Sequence, residues 1–160
     1  MNLTLKIERP EGTDKDFPMP SYQSSGAAGL DIRAHLPKEE RARGYKLLPG
    51  RRSLISGGFK IQIPTGLEGQ IRARSGLAKK YGITLANGIG TIDSDFRGVI
   101  GILLINHGSD PFTVNHTDRI AQLVIQPVIK VDCVLVESLI KTERGEGKKV
   151  RNYSRKRNRN

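Results

Sequence analysis

Residues 90–98 read GTIDSDFRG. Asp93 and Asp95 stand two apart, after Gly90 and before Phe96, Arg97 and Gly98. On an extended strand they would share one face. Two carboxylates held that way can orient a water or a metal ion, or raise one another's pKa. The plain alternative is a solvated acidic turn with Arg97 as its partner. Asp95 is assigned to that alternative and Asp93 to chemistry. Just upstream, LANGIG (85–90) contains Asn87-Gly88, a pair that favours a tight turn. Asn87 and Asp93 are therefore expected on the arms of one hairpin. The nearby glycines let a ligand approach the backbone, and the Asn87 amide, both donor and acceptor, suits the edge of a pyrimidine base.

A second stretch, RARSGLAKKYG (72–82), suits anions. It predicts one short helix over 75–82, with Ser75 as N-cap and Gly82 as stop. Free N–H groups at its start would face an anion, and the Arg74 guanidinium offers a planar donor fork for phosphate oxygens. The alternative is that Ser75 merely caps a surface turn, and this motif alone does not decide.

Short β-strands must position these residues. Apolar residues alternate or run in short blocks in LTLKI (3–7), GLDIRA (29–34), GFKIQIP (58–64), EGQIRA (68–73), GVIGILLIN (98–106) and AQLVIQPVIKVDCVLVESL (121–139). Turn signals PEG, LPG, PTG, ANG and HGSDP fall between them. Many short strands with frequent turns predict an all-β sandwich or barrel.

The 160 residues suit one domain with a real core. Cys133 is the lone cysteine, so no intrachain disulfide forms, and its alternating surroundings predict a small buried residue. A disulfide-free chain fits a reducing compartment. The N-terminus lacks an apolar h-region, and no run approaches a membrane span, so a soluble cytoplasmic protein is expected. His35, His107 and His116 lie far apart and are read as surface or structural residues, without zinc-like spacing. Net charge is +11, but residues 148–160, KKVRNYSRKRNRN, hold seven cations and no acid; without them the chain falls to +4. A modestly positive body suits an anionic ligand. The tail cannot bury apolar surface and is expected to be disordered.

Taken in series, AAGLDIRA (27–34), RSGLA (74–78), GTIDSDFRG (90–98) and RIAQL (119–123) resemble the first four motifs of the trimeric dUTPases, the dUTP diphosphatases. Any one would be weak; four in order are specific, and they span most of residues 1–147. The resemblance implies a jelly-roll homotrimer with active sites shared between subunits, acting on dUTP with Mg²⁺ to release dUMP and pyrophosphate. It matches Asp31 to the aspartate that orients waters around Mg²⁺. Arg74, Ser75 and Gly76 match the phosphate motif. Asn87 matches the uracil contact, with the backbone at Thr91, Ile92 and Gly101 lining the same pocket. Asp93 matches the residue that activates the attacking water. Phe96 stands where tyrosine is usual, and its ring can stack on deoxyribose. Arg119 is implied to be mainly structural, and Gln122 to position phosphate or metal-bound water.

The resemblance breaks at the fifth motif, roughly R-G-x-G-G-F-G-S-T-G. Arg144, Gly145, Glu146 and Gly147 match; then Lys148 and Lys149 replace Gly-Phe, and Tyr153 comes four residues late. Residues 1–147 are thus read as the dUTPase-like domain and 148–160 as a basic arm. Two other readings stand beside the hydrolase. One is a nucleotide-binding trimer whose arm makes weak, salt-dependent contacts with nucleic acid. The other is a dCTP deaminase-like enzyme of the same fold, which needs a glutamate that TIDSD does not supply.

Overall fold

In the computed structural model, residues 3–145 are described. Ten strands, one α-helix and one 3-10 turn follow in this order: β1 (Lys6–Glu8), β2 (Leu30–Arg33), the 3-10 turn (Lys38–Glu40), β3 (Tyr45–Leu47), β4 (Arg52–Gln62), β5 (Leu67–Ala73), α1 (Ser75–Tyr81), β6 (Ile83–Leu85), β7 (Gly90–Ile92), β8 (Val99–Asn106), β9 (Phe112–Val114) and β10 (Arg119–Pro127). One antiparallel sheet has the order β1-β4-β8-β6, a second β2-β10-β5-β7, and β3 pairs with β9 in a small third sheet.

The pleat explains the core. Successive side chains point to opposite faces of a strand. In β8, Ile100, Ile102 and Leu104 turn inward and are at most 1% exposed, while Val99, Gly101, Leu103 and Ile105 turn out. β5 buries Ile71, and β10 buries Ile120, Ala121 and Leu123. These residues join Ile32, Phe59 and Val114 in one cluster between the sheets. Each fully buried aliphatic side chain contributes about 1.5–3 kcal/mol. The buried Asn106 amide is satisfied throughout: Nδ2 donates to the carbonyls of Leu47 (2.9 Å) and Asp110 (2.8 Å), and Oδ1 accepts from Gly108 N–H (2.8 Å).

The all-β jelly-roll expectation holds as a sandwich; no closed barrel forms. The helix ends as expected, with Gly82 at φ 70 closing on the Ala78 carbonyl. A side chain at Gly82 would strike the Gly108 backbone within 2.5 Å, so both conformation and space require glycine there. Its start differs. Arg74 is the N-cap residue, Ser75 is already helical, and no side chain caps the turn.

Two further expectations are corrected. β10 stops at Pro127, and residues 130–145 form no regular element. Alternation permits a strand, but a strand needs a partner, and this segment has none among the described residues. Cys133 is accordingly exposed rather than buried, and Leu135 and Ile140 are 99% and 94% exposed. The chain divides after Ile129. The expected boundary after 147, the altered arm at Lys148 and Lys149, and the basic tail lie outside the described residues. No described helix is long and apolar enough to cross a membrane.

Candidate active site

Pairing in the second sheet brings three distant segments together. Asp31 on β2 lies opposite Gln122 on β10, which lies opposite Arg72 on β5. β5 then runs through Ala73 into Arg74 and α1. The Asp31 carboxylate therefore meets two guanidinium groups: Arg119 Nη1 at 3.1 Å from Oδ2, and Arg74 Nε at 3.7 Å from Oδ1. Arg74 Nη1 donates to the Arg119 carbonyl at 2.7 Å, tying the two arginines together. Its remaining donors stay available for an anion. Arg119 thus pairs directly with Asp31.

Gln122 is equally fixed. Its Nε2 donates to the Ala73 carbonyl at 3.0 Å. Its Oε1 lies against the bare Cα of buried Gly29, where a Cβ would come within 2.5 Å. Gly29 is a site residue that motif reading missed, because only the fold sets Gln122 beside it. Ser75 and Gly76 are exposed at the start of α1. A Cβ on Gly76 would meet no protein atom, so packing does not demand glycine there. The bare position instead leaves the backbone open to an incoming group.

The second set of residues lies elsewhere. β6 belongs to the first sheet and β7 to the second, so the expected single hairpin does not form. The chain crosses between sheets through Asn87 and Gly88, the latter at φ 72. Asn87 is exposed, with its Nδ2 beside Gly90. Thr91 and Ile92 complete β7, paired with Gln70 and Gly69. The Ala86 N–H donates to Leu103 at 2.9 Å, which brings this crossing near Gly101 on β8.

Asp93 to Phe96 form a turn closed by Phe96 N–H on the Asp93 carbonyl at 3.1 Å. Asp93 and Asp95 therefore do not share the face of an extended strand. Arg97 does not pair with Asp95 either, since its Nη1 donates to the carbonyls of Ser94 and Phe96, each at 2.7 Å. Among the described residues neither aspartate joins an ion pair. Asp93 is left as an exposed carboxylate. The Phe96 ring folds over Gly98, where a Cβ would meet its Cζ at 2.5 Å, and stays 41% exposed.

The two sets do not converge within one chain. Ile92 pairs with Gly69, and Arg74, five residues further on, directly follows the last residue of that strand. At strand rise that is about 17 Å. Arg144 lies in an exposed turn in which Gly145 N–H donates to the Thr142 carbonyl at 3.1 Å.

Among the described residues no group of three carboxylate, imidazole or thiolate ligands is placed to hold a metal ion, and Asp31 is already met by two arginines. That arrangement fits a magnesium ion carried by phosphates, which keeps several waters and needs few protein ligands.

Fold and cluster define an all-β sandwich with a guanidinium-rich anion site at a strand-to-helix turn. The dUTPase family model matches residues 15–150, and the chain belongs to the dUTPase family. Deoxyuridine 5'-triphosphate nucleotidohydrolase of Methylocella silvestris is 50% identical over 148 residues, covering 91% of this chain and 88% of its own. The enzyme of the same name from Roseobacter denitrificans is 46% identical over 145 residues, covering 91% and 93%. Among solved structures, a Staphylococcus bacteriophage 80alpha dUTPase with dUpNHpp superposes with a TM-score of 0.75 at 24% identity, covering 91% of this chain and 95% of that one. The dUTPase of S. aureus phage phi11, described with a structural Mg(II) ion, gives 0.71 at 23%, covering 85% and 98%. At those identities the likeness concerns the fold.

Proposed function

We propose that the protein hydrolyses dUTP to dUMP and pyrophosphate as a homotrimer in a reducing cytoplasm, with each active site built from more than one subunit. Family membership supports the reaction. The observation that carries the reading of this chain is the Asp31–Arg74–Arg119–Gln122 cluster at the turn into α1.

In this reading Arg74, with the open backbone at Ser75 and Gly76 and the fixed Gln122 amide, holds the triphosphate. Charge-assisted bonds from a planar guanidinium suit that task. Asn87 and the backbone at Thr91, Ile92 and Gly101 meet the uracil edge. A base that leaves such groups unpaired is strongly rejected. The Phe96 ring packs against deoxyribose where a 2'-hydroxyl would intrude. Asp31 would hold, through water, a magnesium ion carried by the nucleotide, and that ion would supply neutralisation of phosphate charge.

Asp93 takes a proton from the attacking water. The water oxygen bonds to the α-phosphorus, the bond from that phosphorus to the bridging oxygen breaks, and pyrophosphate leaves. Arg144 begins the segment that closes over the nucleotide, within a dUTPase-like domain over 1–147. Two features support assembly: the separation of Arg74 from Asp93 along β5, and the exposed apolar run Ile129, Val131, Val134 and Leu135. Such a run has the character of an unpaired interface. Incubation with dUTP, dCTP and Mg²⁺ tests the reading. Formation of dUMP and pyrophosphate from dUTP alone is expected, and ammonia release from dCTP would overturn it.

A further inference from the structure

Four side chains that the proposed reaction does not use converge just beyond the end of β2. Asp14 Oδ2 lies 2.7 Å from Arg41 Nη2, 3.8 Å from His35 Nε2 and 3.7 Å from His116 Nε2. Arg41 Nη2 also lies 3.3 Å from His35 Nε2, and its Nε donates to the Leu36 carbonyl at 3.0 Å. The Leu36 N–H donates to His116 Nδ1 at 3.1 Å. Buried Phe17 stands edge-on to His35, with ring centres 4.9 Å apart, and tilts over His116 at 5.3 Å. Two imidazoles and a carboxylate resemble a metal-ligand set, but the Arg41 guanidinium already fills the cation position.

These partners fix the protonation state. A backbone N–H needs a lone pair on His116 Nδ1, and a guanidinium needs one on His35 Nε2. Both rings are therefore neutral. Burial, then the Arg41 charge, holds each ring below its ordinary pKa, against the opposing pull of Asp14 and, for His116, of Asp16. Arg41 holds the Asp14 carboxyl low. Other charged groups nearby are Arg33, with Nη1 on the Thr117 carbonyl at 2.8 Å, Asp118, whose Oδ2 accepts from Asn115 N–H at 2.8 Å, Arg9, with Nη2 on the Phe17 carbonyl at 2.9 Å, and Glu40, which shares a cavity with His35.

The cluster grips a strained turn. Thr117 has φ 70, the only positive value at a non-glycine among the described residues. For a β-branched residue that conformation persists only when its surroundings enforce it. The Thr117 N–H donates to Ala34 and the Ala34 N–H to Asp118, both at 2.8 Å. His116 flanks the strained residue on one side. On the other, two positions away, Arg119 holds Asp31.

We infer that Asp14, His35, Arg41 and His116 form an acid-labile clamp on the turn Asn115–Asp118, through which Arg119 is held against Asp31. Protonation of His116 at Nδ1 removes the acceptor for Leu36 N–H. Protonation of His35 at Nε2 sets a cation against Arg41. The folded state then binds fewer protons than the unfolded state below the free-histidine pKa, so the clamp is fully closed above it and is lost as pH falls. Its consequence for nucleotide binding rests on the proposed function; the clamp itself does not.

Hydrogen exchange on the full chain, without nucleotide, tests it. Between pH 7.5 and 5, after correction for intrinsic rates, residues 34–41 and 114–119 should lose protection. The expected loss is about tenfold for each unit by which the fold lowers an imidazole. In H35Q/H116N, where Gln Oε1 and Asn Oδ1 supply the same acceptors without titrating, protection should persist. Equal loss in parent and variant, or no loss in the parent, would overturn the clamp. If the variant does not fold, NMR titration of His35 and His116 in the parent decides. Their midpoints must lie below the ordinary histidine pKa, at the lower end of the pH range over which protection is lost, and midpoints at or above the ordinary value would contradict the inference.

Discussion

Arg74 and Asp93 sit toward opposite ends of a single strand. β7 ends at Ile92, which pairs with Gly69 near the start of β5, and Arg74 follows the last residue of β5. The intervening rise of about 17 Å exceeds what either side chain can bridge to one α-phosphate. Under the roles proposed for Asp93 and Arg74, residues so separated serve one nucleotide only if another copy of the chain supplies one of them.

Asp93→Asn should nearly abolish turnover while leaving nucleotide binding measurable. The amide keeps the shape but cannot take the proton, and losing a general base costs about 10²–10⁴ in rate. Turnover measured beside calorimetric binding of dUTP checks this. A variant that keeps most of its turnover removes Asp93 from that role.

Gly29→Ala should damage catalysis more than stability. The added methyl displaces Gln122 Oε1, the far end of a flexible side chain. Overpacking costs about 1–3 kcal/mol, whereas misplacing a positioning group by an ångström costs about 10²-fold in rate. Thermal melting paired with kcat/KM for dUTP separates the two. A large drop in Tm with kcat/KM unchanged would contradict the positioning role of Gly29.

Selectivity between dUTP and UTP should depend on the Phe96 ring seated over Gly98. Phe96→Ala removes the wall against a 2'-hydroxyl, so the ratio of kcat/KM values should fall towards one. An unchanged ratio would show that another group reads the sugar.

Asn106→Leu should destabilise the fold by about 2–4 kcal/mol, since Gly108 N–H and the carbonyls of Leu47 and Asp110 all lose their partner. Urea unfolding measures this. A loss below about 0.5 kcal/mol, the scale of neutral surface changes, would deny the amide its structural role.

Reading by periodicity succeeded where a strand was long or its punctuation strong. GVIGILLIN became β8, and Gly82 ended α1 as expected. It missed β3 and β9, whose three residues display no clear period, and it paired the arms around Asn87 with each other although β6 and β7 belong to different sheets. The first half of β4 was hidden because Arg52, Ser53 and Ser56 interrupt its apolar residues. Residues 128–139 misled in the opposite way, because alternation describes a capacity to pair and cannot reveal whether a partner exists. Motifs located Asp31, Arg74 and Gln122. The Arg119–Asp31 contact spans 88 residues and was set by strand register rather than by any local signal. The meeting of His35 with His116 was hidden for the same reason.

The most direct test mixes two disabled chains. Arg74→Ala and Asp93→Asn should each be nearly inactive alone. Co-refolded in equal amounts, they should regain activity, because roughly a quarter of shared sites in a cyclic trimer would receive an intact Arg74 from one subunit and an intact Asp93 from another. If mixed assemblies form and remain as inactive as the separate variants, the site lies within one chain and the account of shared sites is wrong.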